Sequence, residues 1–257
     1  MHRVEHVMGF PVSLRIDDVT DPSVHPPLHP SVPEGAADAV FAWLREADER
    51  FSPYREDSEV SRLDRGELSA DGLSDDLTEV LGLCEEYRIA TGGAFDVRLP
   101  GRGLDPCAVV KGWSVQRAAD LLTAAGLTRF CLNAGGDVVV SGGPWRVGVR
   151  HPFVADKVCA VLGLTDAAVA TSARYERGDH ILDGRTGLPA AGLDSVTVVA
   201  PDLTLADTVA TAAFALGREG VEWAASQTDC EVYAVVAGGG VLRTPGFPTA
   251  GTGTAAA

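Results

Sequence analysis

The sequence predicts an α+β fold in which mixed, mainly antiparallel sheets pack with helices. Helical apolar spacing is concentrated in the first half of the chain, whereas short β-rich runs dominate the second half. These runs follow one another without the strict strand–helix alternation of a doubly wound parallel sheet. Of the 257 residues, 46% are hydrophobic and 22% are charged, a composition that supports a packed core and excludes wholesale disorder.

The first elements are predicted from alternation and proline content. An apolar alternation over residues 7–16 predicts a strand. Residues 17–35 contain five prolines, so we predict an exposed connection there. His25 and His29 lie in this connection without a Cys, Asp or Glu at ligand spacing, which favours a surface loop over a metal site.

The remaining elements are predicted from periodicity and glycine stop signals. Apolar residues at helical spacing predict helices over residues 36–51, 75–91, 112–125 and 205–216. Short β-rich runs predict strands over residues 129–134, 138–142, 145–150, 158–164, 167–172, 195–200 and 231–244. We predict one domain over residues 1–243 and a flexible tail of small residues over 244–257.

Charge and cysteine usage exclude several classes of protein. The 21 Lys and Arg against 36 Asp and Glu give a net charge of −15, which argues against nucleic-acid binding. No run approaches the about 18 apolar residues that span a bilayer, and the first residues lack a secretory signal pattern, so no membrane insertion is expected. The five cysteines are scattered without a CxxC pair. Thiols in a reducing compartment are therefore expected, and the predicted location is cytoplasmic.

Two segments combine an aromatic ring with a turn. Tyr54 follows Pro53 in a turn, where a ring either packs on the surface or stacks on a planar ligand. In residues 91–98, two glycines precede Ala94, Phe95 and Asp96. Such a pattern is typical of a helix C-cap, and it also lets the backbone approach a ligand closely.

Two further segments place polar groups beside glycines. Lys111-Gly112 is predicted at a helix start, where the helix terminus and the lysine together favour an anion, although no phosphate-loop motif is present. Residues 132–143 predict a hairpin with a double-glycine turn. Burying Asn133 or Asp137 beside that turn is costly without partners, which favours a site there.

The last segments offer oxygen ligands and a base. Asp207 and Thr211 are four residues apart on a predicted helix and share one face, so their oxygens can hold Mg²⁺ or simply be a solvated Asp and a packed Thr. His180 can act as a base or as a hydrogen-bonded turn histidine. No GxSxG, HExxH, GxGxxG or EF-hand pattern is found.

Taken in order, these segments resemble the FAD:protein FMN transferase family, also called the ApbE family. The matching segments are residues 7–16, 51–63, 91–98, 105–113, 132–142, 170–190 and 195–217. The resemblance is to a short, soluble branch, because the signal peptide and acylated cysteine of many exported relatives are not found. It implies an ApbE-like single domain and an enzyme that transfers a phosphorus-containing group.

The resemblance implies Mg²⁺-dependent transfer of the FMN moiety of FAD to a Thr or Ser hydroxyl of a target flavoprotein, with release of AMP. The target would carry a motif resembling D-x-x-[ST]-G-A-[ST]. The residues expected to hold FAD are Met8, Tyr54, Ala94, Phe95, Asp96, Asp105, Lys111, Asn133, Gly135, Gly136, Thr171, Ser172 and His180. The residues expected to hold Mg²⁺ are Ala108, through its carbonyl, Asp207 and Thr211.

Alternatives stay open at this point. His180 and Asp207 are both candidates for the catalytic base, and the sequence does not separate them. A metal-dependent FAD diphosphatase that gives FMN and AMP would use the same metal site, and a non-catalytic FAD-binding protein is a further alternative. Phe10 and Ala173 depart from the family pattern by adding bulk near the expected FAD pocket.

Overall fold

The computed structural model describes residues 1–17, 35–99, 101–178 and 180–250. The predicted connection over residues 17–35, with His25 and His29, therefore lies almost entirely outside the described residues. Within them, no helix is both long and apolar enough to cross a membrane.

The described residues form the following elements. The helices are α1 (Ala36–Phe51), α2 (Glu59–Asp64), α3 (Asp75–Ala90), α4 (Cys107–Ala124), α5 (Arg174–Arg177), α6 (Leu203–Leu216) and α7 (Glu219–Ala225), with a 3₁₀ turn at Ala70–Gly72. The first strands are β1 (His2–Val7), β2 (Phe10–Ile16), β3 (Arg98–Leu99), β4 (Gly103–Leu104), β5 (Phe130–Ala134), β6 (Asp137–Ser141) and β7 (Trp145–Arg150). The others are β8 (Val158–Leu164), β9 (Ala167–Ala173), β10 (Leu182–Asp183), β11 (Leu188–Pro189), β12 (Leu193–Ala200), β13 (Glu231–Val236) and β14 (Gly240–Arg243).

One large sheet organises the fold. It has eight strands in the order β1-β2-β5-β6-β9-β12-β13-β14, and all its described pairings are antiparallel. The pairs β3–β4, β7–β8 and β10–β11 form separate two-stranded sheets. The predicted α+β class with mainly antiparallel sheets is confirmed.

The two faces of the large sheet have different covers. Helices α1, α4 and α6 cover one face, and the core there includes Phe41, Leu132 and Val198. The β7–β8 hairpin covers the other face, where Trp145 and Leu162 contribute to a second core. A third core forms around α3 and the turn of α4 that carries Trp113. Helices α4 and α6 contribute residues to both cores on their side of the sheet.

Capping residues explain two of the helix starts. Ser58 accepts a hydrogen bond from Ser61 N at 3.0 Å and begins α2. Ser74 accepts one from Leu77 N at 3.2 Å and begins α3, which ends at Ala90 beside the predicted glycine stop. The helix predicted over residues 36–51 is observed with the same bounds.

The predicted strand over residues 7–16 is wrong as a single element. The chain instead forms the β1–β2 hairpin, with a two-residue turn at Met8-Gly9. Both turn residues have positive φ, 56° for Met8 and 79° for Gly9. Such a turn suits the right-handed twist of the flanking strands. A positive φ is unusual for methionine, so the residue types at this position do not predict the turn.

The predicted start of the third helix at residue 112 is also wrong. Helix α4 begins at Cys107, and Asp105 Oδ1 accepts a hydrogen bond from Cys107 N at 3.1 Å. Lys111-Gly112 therefore lies inside the helix rather than at its start. Glycine occupies this position because α4 crosses α6 here, and a Cβ atom at Gly112 would lie 2.6 Å from Leu203 O and 2.8 Å from Asp207 Cβ.

Two further differences concern the C-terminal part. Helix α7 was not predicted, because it is short and follows α6 after only two residues. The segment after β14 packs against the fold, with Phe247 4% exposed and Ala250 N bonded to Val161 O at 2.7 Å. The packed chain thus extends beyond the predicted boundary at residue 243, and residues 251–257 lie outside the described residues.

The crossing of α4 and α6 yields a first prediction. We expect Gly112→Ala to lower the free energy of unfolding by about 2–3 kcal/mol, because the added methyl group must push the two helices apart. Gly82→Ala is the matched control, since Gly82 lies inside α3 with no atom within 4 Å of an added Cβ. It should raise stability by about 0.5–1 kcal/mol. Urea unfolding of both variants measures the difference, and equal effects would contradict a tight crossing.

Candidate active site

A lysine between two buried carboxylates forms the centre of the site. Lys111 Nζ of α4 pairs with Asp137 Oδ2 at the start of β6 and lies 3.7 Å from Asp207 Oδ1 of α6. Asp137 is 2% exposed and Asp207 is 4% exposed. These three side chains together carry one excess negative charge in a place where water screens it weakly. We call them the charge cluster.

The position of Asp137 is fixed by a neighbouring strand. Asp137 Oδ1 accepts a hydrogen bond from Thr171 N at 2.9 Å, just beyond the last β6–β9 pair, Val138 with Val169. The carboxylate thus takes the place of a strand carbonyl. The sequence indicated Asp137 as a costly buried carboxylate after a double-glycine turn, but it was not among the predicted site residues.

The hydroxyl groups of β9 divide between the two faces of the sheet. Ser172 is buried, and its Oγ lies 3.2 Å from Thr211 Oγ1 on α6. Thr211 is one turn after Asp207, so the predicted helix face with a carboxylate and a hydroxyl points at β9. Thr171 Oγ1 instead lies 2.9 Å from Thr197 Oγ1. Because Thr171 and Ser172 are adjacent on a strand, Thr171 reaches the charge cluster through its backbone N–H only.

The glycine turn between β5 and β6 lies beside the β1–β2 hairpin. Asn133 Oδ1 accepts a hydrogen bond from Gly136 N at 3.0 Å and holds the turn closed. A Cβ atom at Gly135 would lie 3.1 Å from the Phe10 side chain. The bulk that Phe10 adds therefore packs directly on Gly135, one of the residues expected to approach FAD.

The turn at Met8 is joined to α4. Ser114 Oγ lies 3.6 Å from Met8 Sδ and 3.1 Å from Lys111 O. Ser114 is completely buried. The structure thus brings Met8 to the same stretch of helix as Lys111. Ala108 lies in the preceding turn of α4, four residues before the glycine that contacts Asp207.

The loop that carries Ala94, Phe95 and Asp96 is held in place by contacts with Gly184 and Thr91. Gly184 N donates to Ala94 O at 2.8 Å, and a Cβ atom at Gly184 would lie 2.7 Å from Asp96 Cβ. Phe95 N donates to Thr91 Oγ1 at 3.0 Å, and the Phe95 side chain is buried in the third core. Phe95 therefore has a packing role in this structure. Asp96 Oδ1 accepts from the N–H two residues later at 2.8 Å.

His180 and Tyr54 are exposed. His180 Nδ1 lies 3.1 Å from Gly178 O, the local contact of a turn histidine. The Tyr54 side chain is 79% exposed and borders a shallow cleft of about 240 Å³ together with Arg102 and Leu104. Leu104 directly precedes Asp105, one of the residues expected to hold FAD.

Thiol chemistry is disfavoured by burial. The five cysteines, all within the described residues, form no disulfide. Burial raises the pKa of Cys84 to about 12 and those of Cys131 and Cys230 to about 11. At neutral pH these three thiols stay protonated, so they are poor nucleophiles and poor metal ligands.

The residues expected to hold Mg²⁺ have donor atoms that fit a hard divalent cation. Within the described ranges, no three His, Cys, Asp or Glu side chains come together as a metal site. Mg²⁺ needs fewer protein ligands than that, because it keeps waters and takes substrate phosphates alongside one or two carboxylates. Asp207, Thr211 and the Ala108 carbonyl offer oxygen atoms only, and the excess negative charge of the cluster favours a cation.

Comparisons with known proteins identify the family. The model of the ApbE family matches residues 8–100 and 98–234. The chain therefore belongs to the ApbE family, and the resemblance stated from the sequence is confirmed.

Named relatives include proteins called FAD:protein FMN transferase. The one from Rhodobacter capsulatus is 34% identical over 221 residues, which are 80% of this chain and 39% of that protein. The one from Treponema pallidum is 32% identical over 176 residues, 56% of this chain and 49% of that protein. Each match thus covers less than half of the relative.

Solved structures share the fold. The flavin transferase ApbE from Vibrio cholerae superposes with a TM-score of 0.78 at 21% identity, over 95% of this chain and 96% of that one. The ApbE protein from Thermotoga maritima gives a TM-score of 0.81 at 22% identity, over 95% and 97%.

The charge cluster yields a prediction about stability. We expect Lys111→Met to lower the free energy of unfolding by about 3 kcal/mol, because it leaves two buried carboxylates without their shared cation. The change in the free energy of unfolding caused by Asp207→Asn should be about 1–2 kcal/mol more favourable in the Lys111→Met background than in the unchanged protein. A double-mutant cycle by urea unfolding measures this coupling. Additive effects of the two substitutions would mean that the cluster is not one electrostatic unit.

Proposed function

We propose that this chain is an FAD:protein FMN transferase, which moves the FMN moiety of FAD to a Thr or Ser hydroxyl of a target flavoprotein and releases AMP. The observation that carries the proposal is the charge cluster beside Thr211, in a chain that belongs to the ApbE family. Storage of FAD alone needs no buried carboxylates around a lysine, so the cluster favours catalysis over the non-catalytic alternative.

The transfer exchanges one phosphorus–oxygen bond for another. The acceptor hydroxyl oxygen bonds to the FMN phosphorus, the bond from that phosphorus to the bridging oxygen breaks, and the bridging oxygen leaves with AMP. Negative charge builds on the phosphate oxygens during this step, and the Lys111 ammonium, 3.7 Å from Asp207 Oδ1, would neutralise part of it. The proton of the hydroxyl goes to a base, for which Asp207 and His180 remain the two candidates.

Mg²⁺ is part of this proposal. Asp207, Thr211 and the Ala108 carbonyl would hold it, and when bound it would supply Lewis-acid charge to the diphosphate. Asp137 then keeps Lys111 in place, because the lysine is paired with that carboxylate as well. The protein itself would thus contribute the Lys111 ammonium. Asp137 holds this group on one side, and the expected oxygen ligands of α6 lie on its other side.

Exposure of the ring supports one of the proposed FAD contacts, Tyr54. The exposed Tyr54 ring offers a face for the isoalloxazine ring. Met8 packs against the third core, to which Phe95 belongs, and Gly135 lies against Phe10 of the hairpin whose turn begins at Met8. The target would carry the D-x-x-[ST]-G-A-[ST] motif.

The proposed location is cytoplasmic, because the described cysteines are free thiols, as is usual in a reducing compartment.

The first test is a substitution at the cluster. We expect Asp207→Asn to lower flavin transfer at least about 100-fold, because the variant keeps the shape of the side chain but loses the charge that holds the metal. FAD binding should change by less than about threefold. Asp120→Asn, an exposed carboxylate near the other end of α4, is the matched control and should transfer at the normal rate.

The readout separates the candidate functions. A target domain with the motif is incubated with FAD and Mg²⁺, and covalent flavin is detected by in-gel fluorescence while AMP is measured by chromatography. Normal transfer by Asp207→Asn would sink the assignment of that residue. FMN and AMP that appear equally fast without the target domain would identify an FAD diphosphatase instead.

A second test concerns the metal. We expect EDTA to abolish transfer and added Mg²⁺ to restore it. Thr211→Val, which removes the hydroxyl with little change of volume, should raise the half-saturating Mg²⁺ concentration about tenfold. Thr208→Val, on the same helix, is the control. A Mg²⁺ requirement that is unchanged in Thr211→Val would remove Thr211 from the set of ligands.

A further inference from the structure

A separate cluster of positive charge lies on the β7–β8 hairpin. Arg146 and Arg150 point outward from β7, and Lys157 lies in the loop before β8. In the part of the chain that the structure describes, no ion pair joins any of the three to a carboxylate, whereas most of the other arginines there form one. These exposed cations stand out in a chain with a net charge of −15.

Apolar side chains lie among these cations. Phe153 is 62% exposed, Val154 is 41% exposed and Val158 is 56% exposed. Val158 lies over Gly148 on the outer face of the hairpin, because a Cβ atom at that glycine would be 2.9 Å from Val158 Cγ1. We call Arg146, Arg150, Phe153, Val154, Lys157 and Val158 the hairpin surface.

The loop of this surface is well defined by backbone contacts. His151 N donates to Lys157 O at 2.8 Å, and Lys157 N donates to Val154 O at 3.0 Å. Phe153 N lies 3.1 Å from His151 Nδ1, and the two rings are 5.8 Å apart. Exposed apolar side chains on an ordered loop are typical of an interaction surface.

The hairpin surface is linked through Tyr175 to the strand that carries Ser172. The Arg150 guanidinium lies over the Tyr175 ring, 4.7 Å from its centroid. Tyr175 is three residues after Ser172, so their Cα atoms are at most about 11 Å apart. The segment with Tyr175 also leads to His180. Tyr175 follows the end of β9 at Ala173. A polypeptide bound on the hairpin surface, on the other face of the sheet, would therefore reach the charge cluster around this strand end.

We propose that the hairpin surface is the docking surface for an acidic segment of the acceptor polypeptide, a step that rests on the proposed transfer. The chain as a whole repels an acidic partner, whereas residues 145–158 carry three cations against the one carboxylate of Asp156. This local reversal of sign steers the partner to the hairpin. Phe153, Val154 and Val158 supply the apolar contact. The cations of the hairpin surface would select the acceptor segment, and the flavin transfer itself would take place at the charge cluster.

The test uses two labelled peptides with the same D-x-x-T-G-A-T core. One is flanked by glutamates and the other by glutamines, and binding is followed by fluorescence anisotropy without FAD. We expect the glutamate peptide to bind about tenfold more tightly in 50 mM NaCl and the difference to disappear in 500 mM NaCl. Lys157→Glu and Arg146→Glu should each weaken binding of the glutamate peptide about fivefold.

Matched control variants separate the effect of the hairpin cations from the effect of the net charge of the protein. Arg243→Glu changes the net charge equally, and Arg243 is an exposed cation on the edge strand β14. It should bind both peptides normally. Phe153→Ser should weaken both peptides, whereas Val241→Ser, also on β14, should not. Equal binding of the two peptides, or an equal loss in Arg243→Glu, overturns the proposal.

The other occupants are outcomes of the same series. If Lys157→Glu abolishes binding to phosphatidylserine vesicles but leaves peptide binding unchanged, the surface is a membrane contact and the proposal is wrong. If the protein is a dimer that Lys157→Glu dissociates, with peptide binding unchanged, it is a contact between copies and the proposal is equally wrong. Charge-dependent peptide binding without any flavin transfer would refute the proposed function and leave the docking surface in place.

Discussion

The pairing of one lysine with two buried carboxylates constrains the arrangement of the whole site. Asp137 and Asp207 come from a strand and a helix that are 70 residues apart, and Lys111 comes from a second helix. Carboxylates this deeply buried are costly without a nearby cation. The lysine reaches both because α4 and α6 cross closely at Gly112. Electrostatics and helix packing therefore depend on each other here.

The layers of the fold explain why the site lies where it does. Helices α4 and α6 belong to both cores on their side of the sheet, so the cluster sits where these cores meet. The β5–β6 turn and the first half of α6 come together at this junction, beside the Met8 turn. On the opposite face, the β7–β8 hairpin has its own core and leaves its outer face to solvent. Chemistry and the proposed recognition thus use different layers.

Local patterns were sufficient for the elements whose signals are local. Helix α1 is set by its apolar face and α2 by the Ser58 cap, and both could be predicted from a few residues. The start of α4 could not, because Gly112 weakens the helical pattern, and the reason for this glycine is a contact with α6, which begins 91 residues later at Leu203. The role of Asp137 likewise depends on Thr171 N, a partner that only the β6–β9 pairing provides. The other candidate site residues were predicted from the family resemblance, which says nothing about the contacts that hold them.

The difference between Thr171 and Ser172 shows how little of the site's chemistry depends on residue type alone. Both carry a hydroxyl, but strand alternation turns the Thr171 side chain to Thr197 and leaves only its N–H for Asp137. Ser172 faces Thr211 on the helix that carries Asp207. A valine at position 171 would keep the N–H donor and the β-branched shape, whereas an alanine at position 172 would remove a hydroxyl next to the proposed metal ligand. The backbone at one residue and the side chain at the next therefore hold two separate parts of the same site.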